Sequence, residues 1–377
     1  MRLLLFFLCW FAALPSLLAQ TRPPEIAARA WVLLDYGSGQ MLASGNIDKP
    51  QEPAALSMVM TSYLVHSALR EKKLRSDQML PVSERASRMP GTRSFVEVAG
   101  KARVEDLLKG MVVQSGSDAA VVLAEAVAGS EDAFVSIMNW QARLLGMSKT
   151  RFLNASGHFA EAQPKHSTTA GDLTRLAVAL IRTFPEAHAL HGTKEFSLDG
   201  LQQYNSNRLL WIDPMVDGLM TGNSRAAGFS LIGTAKRGER RLVSVVLGAA
   251  SDDARTQESL KLLNYGFQAY EGVRLYRKDQ AVSQLKLFKG AKSRLAAGFN
   301  HDFIVSLPKG TTRESIKAEL VTRQPLLAPV QQGTQVGLLK LSIDNHPWGE
   351  FPVYAQETVP LAGIFGRAWD TLWLWLQ

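Results

Sequence analysis

PAALSMVMTSY, residues 53–63, opens a helix that is too dry for a protein surface. From Ala54 to Leu69 the chain carries no Asp, Glu, Lys or Arg. A helix apolar on nearly every side belongs in the core of a large domain. This one is too short, and too rich in Ser, Thr and Tyr, to be a membrane span. Pro53 suits a first helical position. The rest of the first domain is therefore to be packed around one buried helix.

Working outward, Arg29 to Tyr36, the turn Gly37-Ser38-Gly39 and Gln40 to Ser44 read as a β-hairpin. Val104 to Val113, Ala119 to Ala128, Asp132 to Leu145 and Ala170 to Thr183 have helical apolar spacing, with Gln114 to Asp118 as a loop and N-cap. Gly228 to Thr234 and Arg241 to Gly248 read as antiparallel strands, followed by a helix from Asp253 to Tyr270. A hairpin first, helices in the middle and a hairpin last give an α+β domain, residues 26–272, in which distant strands share one sheet. From Val273 to about 357, short apolar runs separated by Gly, Pro and Asn turns suggest a small β-sandwich: Leu285 to Phe288, Phe303 to Leu307, Ile316 to Thr322, Val336 to Ile343 and Phe351 to Ala355.

The two ends have their own character. Residues 1–19 hold Arg2, an apolar run from Leu3 to Leu14 and Pro15 to Ala19, the pattern of a secretory signal cleaved near Ala19. Residues 360–377 place Leu361, Ile364, Phe365, Ala368, Trp369, Leu372, Trp373 and Leu376 on one helical face, with Gly363, Arg367 and Asp370 opposite. Too short to span, that helix is expected to lie on a membrane surface. The alternative is a terminal helix docked on its own domain.

At 46% hydrophobic and 20% charged residues, disorder and fibrous classes are excluded. The only cysteine, Cys9, lies within the signal, which removes thiol catalysis and cysteine-held metals and suits export to a periplasm without disulfides. The seven histidines show no paired spacing with carboxylates, and no phosphate-cradling loop is evident, so no metal or other cofactor is expected. A formal charge of +8 in an exported protein points to anionic lipid or cell-wall polymer rather than nucleic acid.

Three stretches matter together: Pro53 to Tyr63, Val113 to Ala119 (VQSGSDA) and Val216 to Gly228 (VDGLMTGNSRAAG). In order and surroundings they resemble the penicillin-binding serine DD-carboxypeptidases, the low-molecular-mass enzymes that trim terminal D-alanine from peptidoglycan stem peptides. The likeness extends over essentially the whole chain, including Gln203 to Asn207 with Leu209-Leu210-Trp211, and His166-Ser167-Thr168. It implies a β-lactamase/transpeptidase-like fold and three motifs. Ser-x-x-Lys supplies a nucleophile and the amine that activates it. Ser-x-Asn supplies a proton-relay hydroxyl and an amide for the substrate backbone. Lys-Thr-Gly holds the substrate carboxylate.

Laid on this chain, the pattern puts the nucleophile at Ala55 and the activating lysine at Met58. A methyl cannot attack a carbonyl, and a thioether cannot carry a proton. The second motif falls on Ser115-Gly116-Ser117, keeping the relay serine but not the amide. The third falls on Met220-Thr221-Gly222, again with methionine for lysine. Asn223 stands where histidine is common, and Ser206 where many members carry arginine. The two methionines are expected to make the cleft more apolar and less attractive to an anion.

Blander uses stay open for the retained groups. Ser115 and Ser117 also read as N-caps for the helix that follows, and Met58 and Met220 as core fillers. Ser57 is turned about 200° around the helix from Ala55 and so away from the site. A second Ser-x-x-Lys, Ser283-Gln284-Leu285-Lys286, falls in a β-rich region, where i and i+3 do not share a face.

In a comparable serine hydrolase, loss of the nucleophile costs on the order of 10⁶ in turnover. The expectation is a non-catalytic homologue at the membrane surface of the periplasm that binds cell-wall stem peptide weakly or scaffolds other wall proteins. The alternative is an active carboxypeptidase with a non-standard nucleophile such as Ser115.

Overall fold

The computed structural model describes residues 22–93, 100–158, 166–198, 200–364 and 368–371. The expected signal, with Cys9, lies outside the described residues, as do positions 365–367 and 372–377 of the expected terminal helix.

In chain order the first unit begins with β1 (Ala30–Asp35) and β2 (Met41–Gly45), a 3-10 turn (Ala54–Ser57) and α1 (Met58–Arg70). Next come β3 (Met79–Pro81), α2 (Glu84–Ser87), β4 (Lys101–Arg103), α3 (Val104–Gln114), α4 (Ser117–Ala128), α5 (Glu131–Leu144), α6 (Ala170–Thr183) and α7 (Pro185–His191). It closes with β5 (Glu195–Leu198), β6 (Leu201–Tyr204), α8 (Leu209–Ile212), β7 (Val216–Ser224), β8 (Gly228–Arg237), β9 (Arg240–Ala249) and α9 (Asp252–Ala269).

Five of these strands form an antiparallel sheet in the order β2-β1-β9-β8-β7, so the first hairpin meets the last across more than two hundred residues. Both faces of the sheet are covered, and strand alternation feeds two cores. Ala30 and Val32 of β1, with Val243, Val245 and Leu247 of β9, face a core shared with α1 and α3 to α7. Leu33, Leu242 and Val246 face the other side, under α9. Ten of the thirteen residues of α1 are buried, and its one Lys, Arg, Asp or Glu, Arg70, is the exposed last residue.

The second unit holds β10 (Tyr270–Tyr276), β11 (Ala281–Phe288), β12 (Arg294–Gly298), β13 (Phe303–Pro308), β14 (Ile316–Thr322), β15 (Leu326–Leu327), β16 (Gln335–Ile343) and β17 (His346–Ala355). A six-stranded sheet, β14-β16-β17-β12-β11-β15, and the pair β10-β13 enclose a separate core. The α+β class with an all-β second unit is as the sequence implies. Of the terminal segment, Ile364 and residues 368–371 are helical, and Leu361, Ile364 and Trp369 are exposed. Asp370 accepts a hydrogen bond from the backbone of Lys289. Among the described residues, no helix is long and apolar enough to cross a membrane.

Candidate functional site

A cavity of about 620 Å³ opens where the 3-10 turn, the α3–α4 loop, β7 and residues 156–158 converge, and all three motif stretches reach it. Ala55, Ser115, Ser117, Thr221 and Gly222 line it.

Its floor is a close approach of two backbones. A Cβ on Gly222 would lie 3.1 Å from Leu56 N and Pro53 O and 3.2 Å from Ala55 N, a tight fit against backbone that a side chain would meet only by pushing β7 and the turn a few tenths of an ångström apart. Gly157 presses from the other side. At φ +75° its Cβ would sit 1.8 Å from Ala54 O and 3.0 Å from Ser57 Oγ. Ala54 itself is held at φ 47°, in the left-handed region. The methyl of Ala55 is therefore fixed where the turn meets the strand.

Met58 and Met220 are each 1% exposed, belong to the helix-side core and do not line the cavity. The two thioethers therefore contribute no surface to the cleft. The unbranched thioethers fold into the core, and the lining combines alanines and glycines with hydroxyls, amides, histidines, arginines and Glu52.

The loop between α3 and α4 is only two residues long. Ser115 caps the end of α3 in the left-handed region at φ 59°, and Gly116 is the N-cap of α4 without a side-chain cap bond. Neither serine is used as an N-cap, so that alternative is not realised. Ser115 and Ser117 face the cavity, and the Ser117 amide donates to Thr92 O at 2.8 Å. Among the described residues, no basic side chain hydrogen-bonds the Ser115 hydroxyl. Ser206 lies beside the third motif, its hydroxyl 2.8 Å from that of Thr221. The end of α3 holds it there: Ser206 N donates to Val113 O at 3.2 Å, and Gln114 Nε2 to Tyr204 O at 3.1 Å.

Of the lining residues that went unread as site residues in the sequence, Arg255 and His166 are the buried titratable ones. Arg255, from α9, is 5% exposed and donates Nη1 to Gly222 O at 3.2 Å and Ser230 O at 3.3 Å. Its Nη2 pairs with Asp252 at 2.5 Å, and burial pushes its pKa down. Only its place on a buried face of α9 marks it, and that face is not recognisable from spacing alone.

His166 Nε2 accepts from Leu153 N at 3.1 Å and Asn154 N at 3.2 Å, so the ring proton belongs on Nδ1, 3.4 Å from Ser57 Oγ. Burial pushes this histidine down to about 3. With Nε2 occupied by two amides and Nδ1 protonated, the ring cannot take a proton from Ser57, which is fully buried and absent from the lining. The other Ser-x-x-Lys lies on β11, in the second unit, where Lys286 extends over Phe288. Among the described residues, no cluster of three His, Cys, Asp or Glu is placed to hold a metal.

Comparison with known proteins gives two family matches: D-alanyl-D-alanine carboxypeptidase over residues 18–251, and the C-terminal domain of penicillin-binding protein 5 over residues 270–361. The chain is 37% identical to D-alanyl-D-alanine carboxypeptidase DacC of Escherichia coli (strain K12), covering 97% of this chain and 92% of that one. It is 31% identical to DacF of Bacillus subtilis (strain 168), covering 94% and 92%. Among solved structures, penicillin-binding protein 5 from Haemophilus influenzae superposes with a TM-score of 0.83 at 31% identity, covering 90% of this chain and 99% of that one.

Proposed function

Because this chain belongs to the D-alanyl-D-alanine carboxypeptidase family, a class of cell-wall enzymes acting outside the cytoplasm, we propose that it is a member without the hydrolytic step, which holds cell-wall stem peptide non-covalently in the cleft. The observation that carries the reading is the methyl of Ala55 at the junction of the turn and β7. An acyl-enzyme needs an oxygen or sulfur nucleophile there with a base beside it, and position 58 offers a buried thioether. The cleft itself is kept. Its shape rests on Gly157, Gly222 and the Ala54 backbone, none of which is a reacting group. Hydroxyls, amides and Arg255 remain to bind a peptide. In this reading the chain works in the periplasm at the outer face of the cytoplasmic membrane, with its terminal helix on the lipid.

Two assays on the full chain test the proposal: labelling with a fluorescent penicillin, and release of D-alanine from a synthetic stem pentapeptide. Both are expected to be at background. A covalent penicilloyl adduct at any serine, Ser115 included, overturns the non-catalytic reading in favour of an active hydrolase.

A further inference from the structure

The second unit carries a charge pattern that the cleft does not use. Between Asp279 and Asp302 the chain holds Lys286, Lys289, Lys292 and Arg294 and no acidic residue. All four lie on the hairpin of β11 and β12 or in its turn. Lys286 and Arg294 are paired directly across the two strands, both exposed and both positive. Like charges facing each other across a ladder destabilise it, and an anion in front of them relieves the repulsion. Among the described residues, Lys292 alone of the four makes an ion pair, with Glu357. The neighbour of Lys286 Nζ is an aromatic ring, the centroid of Phe288 at 4.6 Å, and not a carboxylate. Three cations of the hairpin are thus left uncompensated.

The same hairpin holds the terminal segment. Ala291 N donates to Pro360 O at 2.9 Å, Ala362 N donates to Lys289 O at 2.8 Å, and Gly290 bridges to Leu361. The Lys289 amide also donates to Asp370. All four cations therefore lie within four residues of the point where that segment leaves the sheet, about 13 Å along a strand. The segment offers apolar surface, with Ile364 74% and Trp369 64% exposed. Residues 360–377 hold one cationic side chain, Arg367, and one anionic, Asp370, so the helix brings no net side-chain charge. Attachment of a helix to a bilayer surface scales with buried apolar area plus attraction to anionic lipid. Here the second part has to come from outside the helix.

We infer that the β11–β12 hairpin is a lipid-contacting surface, on which Lys286, Lys289 and Arg294 meet the phosphates of anionic phospholipid beside the terminal helix. The inference rests on the reading that this helix lies on the membrane. It adds a preference for anionic over neutral bilayers, and places that preference in the second unit rather than in the helix. It also gives the unit an orientation: the β11–β12 hairpin faces the bilayer, and β14, at the other end of the six-stranded sheet, is turned away. A Lys or Arg close to an anionic surface contributes about fivefold in partition.

The test is partition of the full chain onto vesicles of phosphatidylcholine alone and of phosphatidylcholine with about one-third phosphatidylglycerol. Lys286→Gln combined with Arg294→Gln is expected to lower partition onto the anionic vesicles about 25-fold and to leave partition onto the neutral ones unchanged. Raising the salt from about 0.1 M to about 1 M shortens the screening length from about 10 Å to about 3 Å, and should erase most of the anionic preference of the unaltered chain. Arg313→Gln combined with Lys317→Gln makes the same change of net charge on exposed residues at the β14 edge, and should cost about twofold at most. An anionic preference that survives in the hairpin variant, or falls equally in the β14 variant, overturns the inference while leaving the helix on the lipid. A hairpin variant that loses binding to purified cell-wall sacculi but keeps its anionic partition assigns the cations to wall polymer and overturns the lipid contact. No partition onto either vesicle overturns the membrane-surface reading itself, and the inference with it.

Discussion

Acid should unfold the first unit through two histidines that have no room for a second proton. Burial pushes both His166 and His191 down to about 3 from the usual 6.5, and for His191 the neighbouring His188 and His66 add to the shift. His191 is 0% exposed. Its Nδ1 lies 3.3 Å from Leu219 O and its Nε2 3.2 Å from Ser62 Oγ, so it ties β7 to α1 directly behind the motif strand. In the unfolded chain each ring takes its proton near pH 6.5, and in the folded chain only near 3. Between those values the unfolded state binds more protons, and stability falls as pH falls. One pK unit is worth about 1.4 kcal/mol, so the pair should cost roughly 3 kcal/mol per pH unit, or about 4 kcal/mol between pH 6.5 and pH 5. That is comparable with the whole net stability of many domains, about 5–15 kcal/mol. Urea unfolding of the full chain at half-unit pH steps measures the slope. His166→Gln and His191→Asn should each remove about half of it, whatever they do to stability at pH 7.5. A slope below about 1 kcal/mol per pH unit, or one that neither variant changes, refutes the reasoning.

Three further outcomes are expected. Ala55→Ser alone should stay unlabelled by fluorescent penicillin, whereas Ala55→Ser with Met58→Lys should label. The double variant should also lose several kcal/mol, because an amine then replaces a side chain that is 1% exposed; equal labelling of the single and double variants contradicts the role given to position 58. Gly222→Ala should lower stability by about 1–3 kcal/mol, since its Cβ meets three backbone atoms at 3.1–3.2 Å; an unchanged urea midpoint removes the close approach as a constraint. A chain ending at Gly363, which keeps the Gly290–Leu361 bridge, should fail to float with anionic liposomes that carry the full chain; equal flotation sinks the membrane-surface helix.

What the sequence makes legible is what is local. The limits of α6 are readable because Thr169 accepts from Asp172 N and an apolar stripe runs without interruption to Thr183. β14, with Ile316, Ala318 and Leu320 spaced two apart, carries a strand period over its first five residues. Elements without such a signal went unread. β10 begins at Tyr270 with no breaker after α9, and β12 is a short run rich in small residues. α7 restarts at Pro185, with only Phe184 between it and the end of α6. The site divides the same way. Each motif is a few adjacent residues, and the buried helix announces the first of them. Arg255 reaches Gly222 across 33 residues, and His166 reaches Ser57 across 109. Such convergence is decided by the sheet and the helix packing, which no local pattern records.

The replacements have a thermodynamic side that bears on why the fold is otherwise intact. Two positions that the family pattern gives to lysine are here methionines in a closed core. A buried amine must be paired and hydrogen-bonded, or it destabilises the domain by several kcal/mol, whereas a thioether of similar length packs without that demand. On the proposed reading, exchanging catalytic amines for methionine removes strain that chemistry requires and binding does not, which is the usual direction of the stability–activity trade-off. The groups that shape the cleft obey the opposite logic. Gly157 admits no side chain without displacing the turn that carries Ala55, and a side chain on Gly222 would press on the same turn, so both glycines serve the shape of the cavity rather than its reactivity. On the proposed reading, in which the nucleophile and both amines are replaced, a chain that keeps the glycines, the hydroxyl pair Ser206–Thr221 and buried Arg255 has the composition expected of a cleft retained for holding a ligand.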